Sequence, residues 1–261
     1  MTDNENGQMM KPVAAPGGPA TGGAGLGSVG ARPAGPFCYK YPHPALTADC
    51  VIFGYDAAAA SLSLLLIERK SAPCAGCWAF PGGFMEIGES IEECARRELC
   101  EETTLNVPDG LLEQVGCYSA VGRDPRERVV TVAFEGLVAR RGVRGGDDAG
   151  RARWFALDEP LPPLAFDHAA ILHDALRHVR LRLRLEPVGL GLLPEPFSQQ
   201  GLERLYAAVL GRPLRSGALL RQLLSAGVLR PGGAGSGGEL CYAFCRGRYE
   251  ALRREGFWLD L

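Results

Sequence analysis

An α/β layer domain followed by a winged helix-turn-helix domain is the fold this sequence predicts, on three observations. Strand-length apolar runs alternate with helical patterns from Ala45 onward. A proline-containing break after Leu185 interrupts that alternation. Beyond it come two short helical patterns and then a hairpin pattern, the element order of a winged helix. With 261 residues, 46% of them hydrophobic, the chain can bury a full core and has room for two modest domains.

Residues 1–36 are rich in Gly, Ala and Pro and carry almost no large apolar side chain. Burial cannot offset the entropy of ordering them, so a disordered tail is expected. A first domain is expected over 37–185. "ALTADCVIFGYD" and "SLSLLLIERK" read as two strands joined by a small-residue turn, the second apolar enough to be buried on both faces. "SAPCAGCWAFPGG" holds too much Gly and Pro for regular structure. A helix then opens at Glu89 or Ser90 with acidic residues in its first turn. "EQVGCYSAVG", "RVVTVAFEGLVAR" and "RARWFAL" read as three further strands, and Asp167 or His168 opens a helix to about Leu183. Three prolines in "EPVGLGLLPEPF" end it. The second domain, 186–261, starts a helix "QQGLERLYAAVLG" capped by Ser198. A helix "RSGALLRQLLSAG" ending at Gly227, a strand "VLR", a glycine-rich loop to Gly238 and a strand "LCYAF" complete it.

The net charge of −2 is unevenly distributed. Residues 177–261 hold 13 Lys and Arg against 7 Asp and Glu, a net +6 that leaves −8 for the rest of the chain. An acidic front suits cation binding, and a basic rear suits an anionic partner. No apolar run is long enough to span a membrane, and the N-terminus has neither a secretory apolar region nor the basic bias of a transit peptide. A soluble cytoplasmic protein is expected. Nine cysteines, an odd number without an export signal, argue for reduced thiols. Cys74 and Cys77 form a lone C-x-x-C, half a zinc site with no second half at ligand spacing. Cys94, Cys100, Cys117, Cys241 and Cys245 sit among apolar neighbours and read as small core residues.

The segment "RELCEETTL" concentrates Glu98, Glu101 and Glu102 within five residues. On a helix, positions i, i+3 and i+4 share a face, so the three carboxylates converge. A solvated acidic face would tolerate their repulsion at a few tenths of a kcal/mol per pair. The setting points elsewhere. Gly83 precedes Glu89 by six residues, Glu89 precedes Arg97 by eight, and Arg97-Glu98-Leu99 and Glu101-Glu102 follow.

That spacing resembles the Nudix box, G-x5-E-x7-R-E-U-x-E-E-x-G-U with U a bulky aliphatic, and "GFMEIGESIEECARRELCEETTL" matches every defined position except one. Thr104 stands where the family has glycine. The glycine ends the helix at positive φ, where threonine is poor, so a shifted turn costing about 1 kcal/mol is expected there, with the glutamates still aligned. The segments "YPHPALTADCVIF", "WAFPGGFMEIGES", "RDPRERVVTVAF", "DDAGRARWF" and "LAFDHAAILHDAL" resemble the ADP-ribose pyrophosphatase branch. "LLPEPFSQQGLERLYAAVLGRPL" and "CYAFCRGRYEALRREGFWLDL" are similar to the winged-helix half of Nudix-related regulators of NAD and sugar metabolism, which sense ADP-ribose or a related ligand.

The resemblance implies a Nudix fold, a mixed sheet sandwiched between helices, and two readings of function. One is a hydrolase that splits ADP-ribose or another nucleoside diphosphate linked to a moiety X. The other is a transcriptional regulator whose winged helix binds DNA under control of such a ligand. Glu98, Glu101, Glu102 and Gly83 are the implied ligands of Mg2+ or Mn2+, and Arg97 is implied to hold Glu89 or a neighbouring carboxylate. Which carboxylate activates water stays open. Gly82 and Gly83 let backbone approach phosphate. Arg123, with Asp124 and Arg126, clamps a ribose or diphosphate or lies in a solvated hairpin. Tyr118, Phe134 and Trp154 stack on adenine or belong to the core, and His168 touches ligand or only begins a helix. Arg215, Arg221 and Gln222 are the candidates to reach DNA bases, with Arg212, Arg230, Arg246 and Arg248 for phosphates. A homodimer is expected.

Overall fold

The computed structural model describes residues 39–146, 149–235 and 237–259, so the expected tail lies outside the described residues. Its organising element is β1 (Ala45–Asp56), whose apolar run lets both edges and both faces be covered. One edge pairs in parallel with β6 (Val129–Ala139) along its length, from Ala45↔Val129 to Tyr55↔Ala139. The other edge is shared. Its first half pairs with β4 (Gly82–Phe84) and its second half with β2 (Ser61–Arg69), both antiparallel. β3 (Trp78–Ala79) and β7 (Ala149–Ala156) both pair with β2, and β5 (Glu113–Tyr118) pairs with β6. The path β3-β2-β1-β6-β5 with its two side strands makes one mixed seven-stranded sheet.

Alternation along β1 assigns the two faces. Cys50 and Ile52 pack with Cys94, Ala95 and Leu99 of α1 (Ile91–Thr103). Val51 and Phe53 share a cluster with Ile171, Ala175 and Val179 of α2 (His168–Leu185). The sheet is thus sandwiched between helices. The same cluster continues through Leu202, Leu205 and Tyr206 of α3 (Gln199–Leu210) and Leu219 and Leu223 of α4 (Gly217–Ser225). β9 (Leu229–Ala234) and β10 (Leu240–Phe244) form the wing, with the short β8 (Phe197–Ser198) on β10's other edge. No helix among the described residues is long and apolar enough to cross a membrane.

Several expectations are corrected. The segment expected to be irregular contributes β3 and β4, because β2 and β1 supply the hydrogen bonds its composition does not favour. β9 runs into the glycine-rich stretch. α5 (Arg246–Arg254), which the sequence pattern did not announce, buries no residue fully. Cys100 and Cys117 are exposed rather than core, whereas Cys94 and Cys241 are buried. The turn at Thr104 does not shift: Thr104 itself takes the left-handed conformation (φ 61°, ψ 9°), and its N–H bonds to Cys100 O at 2.8 Å. Its hydroxyl donates to Thr103 O at 2.6 Å, a local contact that partly offsets a left-handed cost of roughly 1–2 kcal/mol.

Candidate active site

The helix that carries the glutamates, α1, is fixed at both ends. At the first, Ser90 caps Glu93 N–H while the Glu93 carboxylate accepts from Ser90 N–H at 2.7 Å, a complete capping box. At the last, the connection to β7 folds back. Arg144 and Gly146 donate their N–H groups to the carbonyls of Thr103 and Glu102 at 3.2 and 3.1 Å, satisfying helix-end acceptors.

Two glycines bring β4 against β1 and α1. A Cβ on Gly82 would collide with the Ala48 carbonyl, and one on Gly83 would lie 2.5 Å from the Glu98 carboxylate carbon. The room these glycines leave is therefore filled by the protein's own backbone and carboxylate. Gly82 N–H donates to Glu102 Oε2 at 2.8 Å.

Arg97 is the hub of the helix face. Its Nε and Nη2 fork onto Glu89 at 3.0 and 2.6 Å, and Nη1 reaches Glu98 at 2.7 Å and Glu101 at 3.2 Å. The bond from Arg97 holds the Glu89 carboxyl down to about 2. Burial dominates at the other two inward positions. It raises Glu98 in spite of Arg97, and, with the negative charge of Glu98, pushes Glu102 up to about 8 against the pull of the Gly82 amide. Glu101 points outward, its side chain 60% exposed.

Among the described residues, no group of three or more His, Cys, Asp or Glu side chains is arranged to hold a metal ion. Arg97 bridges Glu98 and Glu101, and Glu102 is taken up by Gly82. The donor chemistry nevertheless fits a hard divalent cation. Mg2+ keeps several waters and takes one or two carboxylates together with substrate phosphates, so an all-protein cage is not required. Carboxylates whose proton affinity is raised by burial and by neighbouring carboxylates are groups a cation would relieve.

Behind the glutamates lies a layer that sequence reasoning missed or read differently. Asp49 of β1 is buried, with Arg123 Nη2 at 3.5 Å and His168 Nε2 at 3.8 Å. His168 is the first residue of α2; its Nδ1 accepts from Phe80 N–H at 3.1 Å, and its ring stacks on Phe80. Burial lowers its pKa against the pull of Asp49. Arg123 is no solvated hairpin residue: its side chain is 5% exposed and forks onto Asp167 at 2.9 and 2.7 Å. Asp124 is likewise buried, paired with Arg126. Tyr118 donates its hydroxyl to Asp174 of α2 at 3.0 Å. Phe134 lies in the core, and Trp154 packs over Gly54 with its indole N–H on Arg141 O. Only a known sheet register would have brought Asp49 to His168, 119 positions away.

In the winged helix, Arg215 and Arg221 are exposed at the start of and along α4, and Gln222 is half-buried. Cys74 and Cys77 lie in a turn closed by Cys77 N–H on Cys74 O, half-buried on Ile67, Ala79 and Ala165.

The NUDIX domain family matches residues 43–175. The chain is 32% identical over 193 residues to an ADPR responsive transcriptional repressor NtrR of Acinetobacter baylyi, spanning 72% of this chain and 76% of that protein. It is 42% identical over 137 residues to an ADP-ribose pyrophosphatase of Methanocaldococcus jannaschii, spanning 52% and 76%. The crystal structure of Shewanella oneidensis NrtR aligns with a TM-score of 0.67 at 26% identity, and its complex with a 27mer DNA with 0.64 at 25%, each over 82% of this chain and 97% of that one.

Proposed function

The chain belongs to the NUDIX family, and from that we propose that it hydrolyses the diphosphate of ADP-ribose or a related nucleoside diphosphate-X compound with the help of a divalent metal. One observation carries the reading. Arg97 forks onto Glu89 and grips Glu98, while Glu98 and Glu102 are backed against Gly83 and Gly82. An acidic face held that firmly is a preorganised cation and water site rather than a solvated helix surface.

Glu98, Glu101 and Glu102, with Gly83 beside them, would hold Mg2+ or Mn2+. When bound, the metal neutralises phosphate oxygens and lowers the pKa of the attacking water. The protein's part is positional. Arg97 fixes the side-chain directions of three carboxylates at once, and one carboxylate of this set takes the proton from water as the P–O bond breaks. With ADP-ribose the products are AMP and ribose 5-phosphate. The test is a panel of ADP-ribose, NADH, diadenosine polyphosphates, nucleotide sugars and oxidised dNTPs, assayed with Mg2+ or Mn2+. ADP-ribose is expected to be the best substrate, and turnover of the dNTPs alone would refute that branch.

A second reading, an ADP-ribose-responsive transcriptional regulator of NAD or sugar metabolism, has its own support. Arg212, Arg215, Arg221 and Arg230 are exposed around α4 and the wing, and none pairs with a carboxylate among the described residues. Similarity to a repressor covers 72% of the chain, more than the NUDIX match at 43–175 spans. In this reading residues 186–261 are the DNA-binding domain, residues 37–185 the ligand-binding domain, and a homodimer binds a palindrome. Gel shifts on the protein's own upstream DNA test it. Loss of the complex on adding ADP-ribose requires equally weakened ADP-ribose binding when DNA is present, and no selective shift at low salt would refute it.

A further inference from the structure

The rim of the site carries two arginines and two aromatic rings that the carboxylate chemistry leaves unused. The guanidinium of Arg69, the last residue of β2, lies 4.9 Å from the centroid of the Phe166 ring. The guanidinium of Arg126 lies 6.0 Å from the same ring and 5.3 Å from the ring of Phe84. Phe84 follows Gly83, and its carbonyl accepts from Arg97 at 3.2 Å, so this cluster adjoins the glutamate face. The Phe166 ring in turn lies 5.6 Å from the ring of His168, which sets Arg69 beside the layer behind the glutamates rather than on a remote surface.

We infer that Arg69 and Arg126, seated on Phe166 and Phe84, form the anion-binding wall of the site: they grip the diphosphate of a nucleoside diphosphate, and the two half-exposed rings receive its base or ribose. The inference rests on the hydrolase reading and deepens it by naming what holds the substrate opposite the glutamates.

Each part is fixed before a ligand arrives. The Asp124 carboxylate, in a side chain 4% exposed, accepts from Arg126 Nε at 3.0 Å and Nη2 at 2.6 Å. The loop carrying that pair is pinned by Arg123 to Asp167, the neighbour of Phe166. Phe166 itself has φ +52°, a left-handed conformation that a non-glycine residue keeps only where its surroundings impose it. Arg69 is held by its Nε on Pro73 O at 3.0 Å and by backbone bonds with Gly76 and Cys77. Both terminal nitrogens of Arg69 and Nη1 of Arg126 make no hydrogen bond among the described residues, and Arg69 has no carboxylate partner there. The unspent fork of Arg69 and the remaining Nη1 of Arg126, each over an aromatic ring, make the arrangement that recognises phosphate beside a ring system.

Binding of ADP-ribose and of inorganic pyrophosphate to the full chain, by calorimetry in EDTA, tests this alongside steady-state hydrolysis of ADP-ribose with Mg2+. Arg69→Gln should weaken both ligands about ten- to a hundredfold, as expected for lost charge-assisted hydrogen bonds, and should raise KM far more than it lowers kcat. Phe166→Leu, which removes the ring as well as part of the arginines' seat, should weaken ADP-ribose more than pyrophosphate. Arg69→Lys, which keeps the charge but not the fork, should fall between wild type and Arg69→Gln. Wild-type affinities and KM in these variants would overturn the wall alone. A wild type that neither binds nor cleaves any nucleoside diphosphate would overturn the hydrolase reading and the wall with it.

Discussion

Replacing Gly83 with alanine asks directly whether the position of Glu98 matters. The backbone there is not left-handed, so alanine brings no conformational strain of its own. The new methyl would lie 2.5 Å from the Glu98 carboxylate carbon and 2.5 to 2.6 Å from its oxygens. Ordinary contact between such atoms needs roughly 3.5 Å, so the carboxylate must retreat by about 1 Å. Arg97 opposes that retreat, because its Nη1 holds Glu98 at 2.7 Å while the rest of its fork is fixed on Glu89. A displacement of about 1 Å at a reacting centre can cost a hundredfold in rate. Overpacking is expected to cost about 1–3 kcal/mol of stability, at the low end here because the obstructing group is a side-chain tip. Metal-dependent hydrolysis of ADP-ribose and thermal denaturation of Gly83→Ala should thus show kcat down about a hundredfold with a folded protein. Full activity at wild-type stability would refute the claim that Gly83 and Arg97 together set the Glu98 carboxylate.

Two further outcomes follow from charges away from the box. Glu135 is fully buried, with Oε1 taking Arg182 at 2.6 Å and Oε2 without a partner among the described residues, so Arg182→Met should cost about 3–5 kcal/mol in thermal or urea denaturation; a loss below about 1 kcal/mol would refute it. The bond from Arg126 lowers the Asp124 pKa, so the pair's contribution to stability is present above the ordinary carboxylate range and fades as pH falls below it. Asp124→Asn should therefore be less stable than wild type at pH 7 and approach it in acid, and a gap constant from pH 7 to about 2 would contradict this.

The box was legible because its chemistry is local. Helical spacing places Glu98, Glu101 and Glu102 on one face, of which Glu101 turns outward, and the resemblance to the Nudix box implies that Arg97 holds Glu89. The long strands were legible from their apolar runs. What escaped was fixed by contacts distant in sequence. β4 is a strand only because half of β1's edge is left open to it. Asp49, Phe80 and His168 meet through the sheet and the start of α2, and Arg69 reaches Phe166 across nearly a hundred residues. Thr104 escaped for the opposite reason. Its propensity argues against a left-handed cap, but the C-terminal end of α1 is held by Arg144 and Gly146 and followed by the buried Leu105, and the cap forms on Thr104.

The most direct measurement is product analysis of ADP-ribose incubated with Mg2+ and the full chain, run beside Glu101→Gln and Glu102→Gln. Conversion to AMP and ribose 5-phosphate is predicted for the wild type, abolished by EDTA. Each variant should be slower by orders of magnitude with an unchanged circular dichroism spectrum, since each substitution replaces a carboxyl group that would hold the metal and removes no core group. Wild-type turnover in both variants, or no cleavage of any nucleoside diphosphate by the wild type, would contradict the assignment of this helix face as a hydrolytic site.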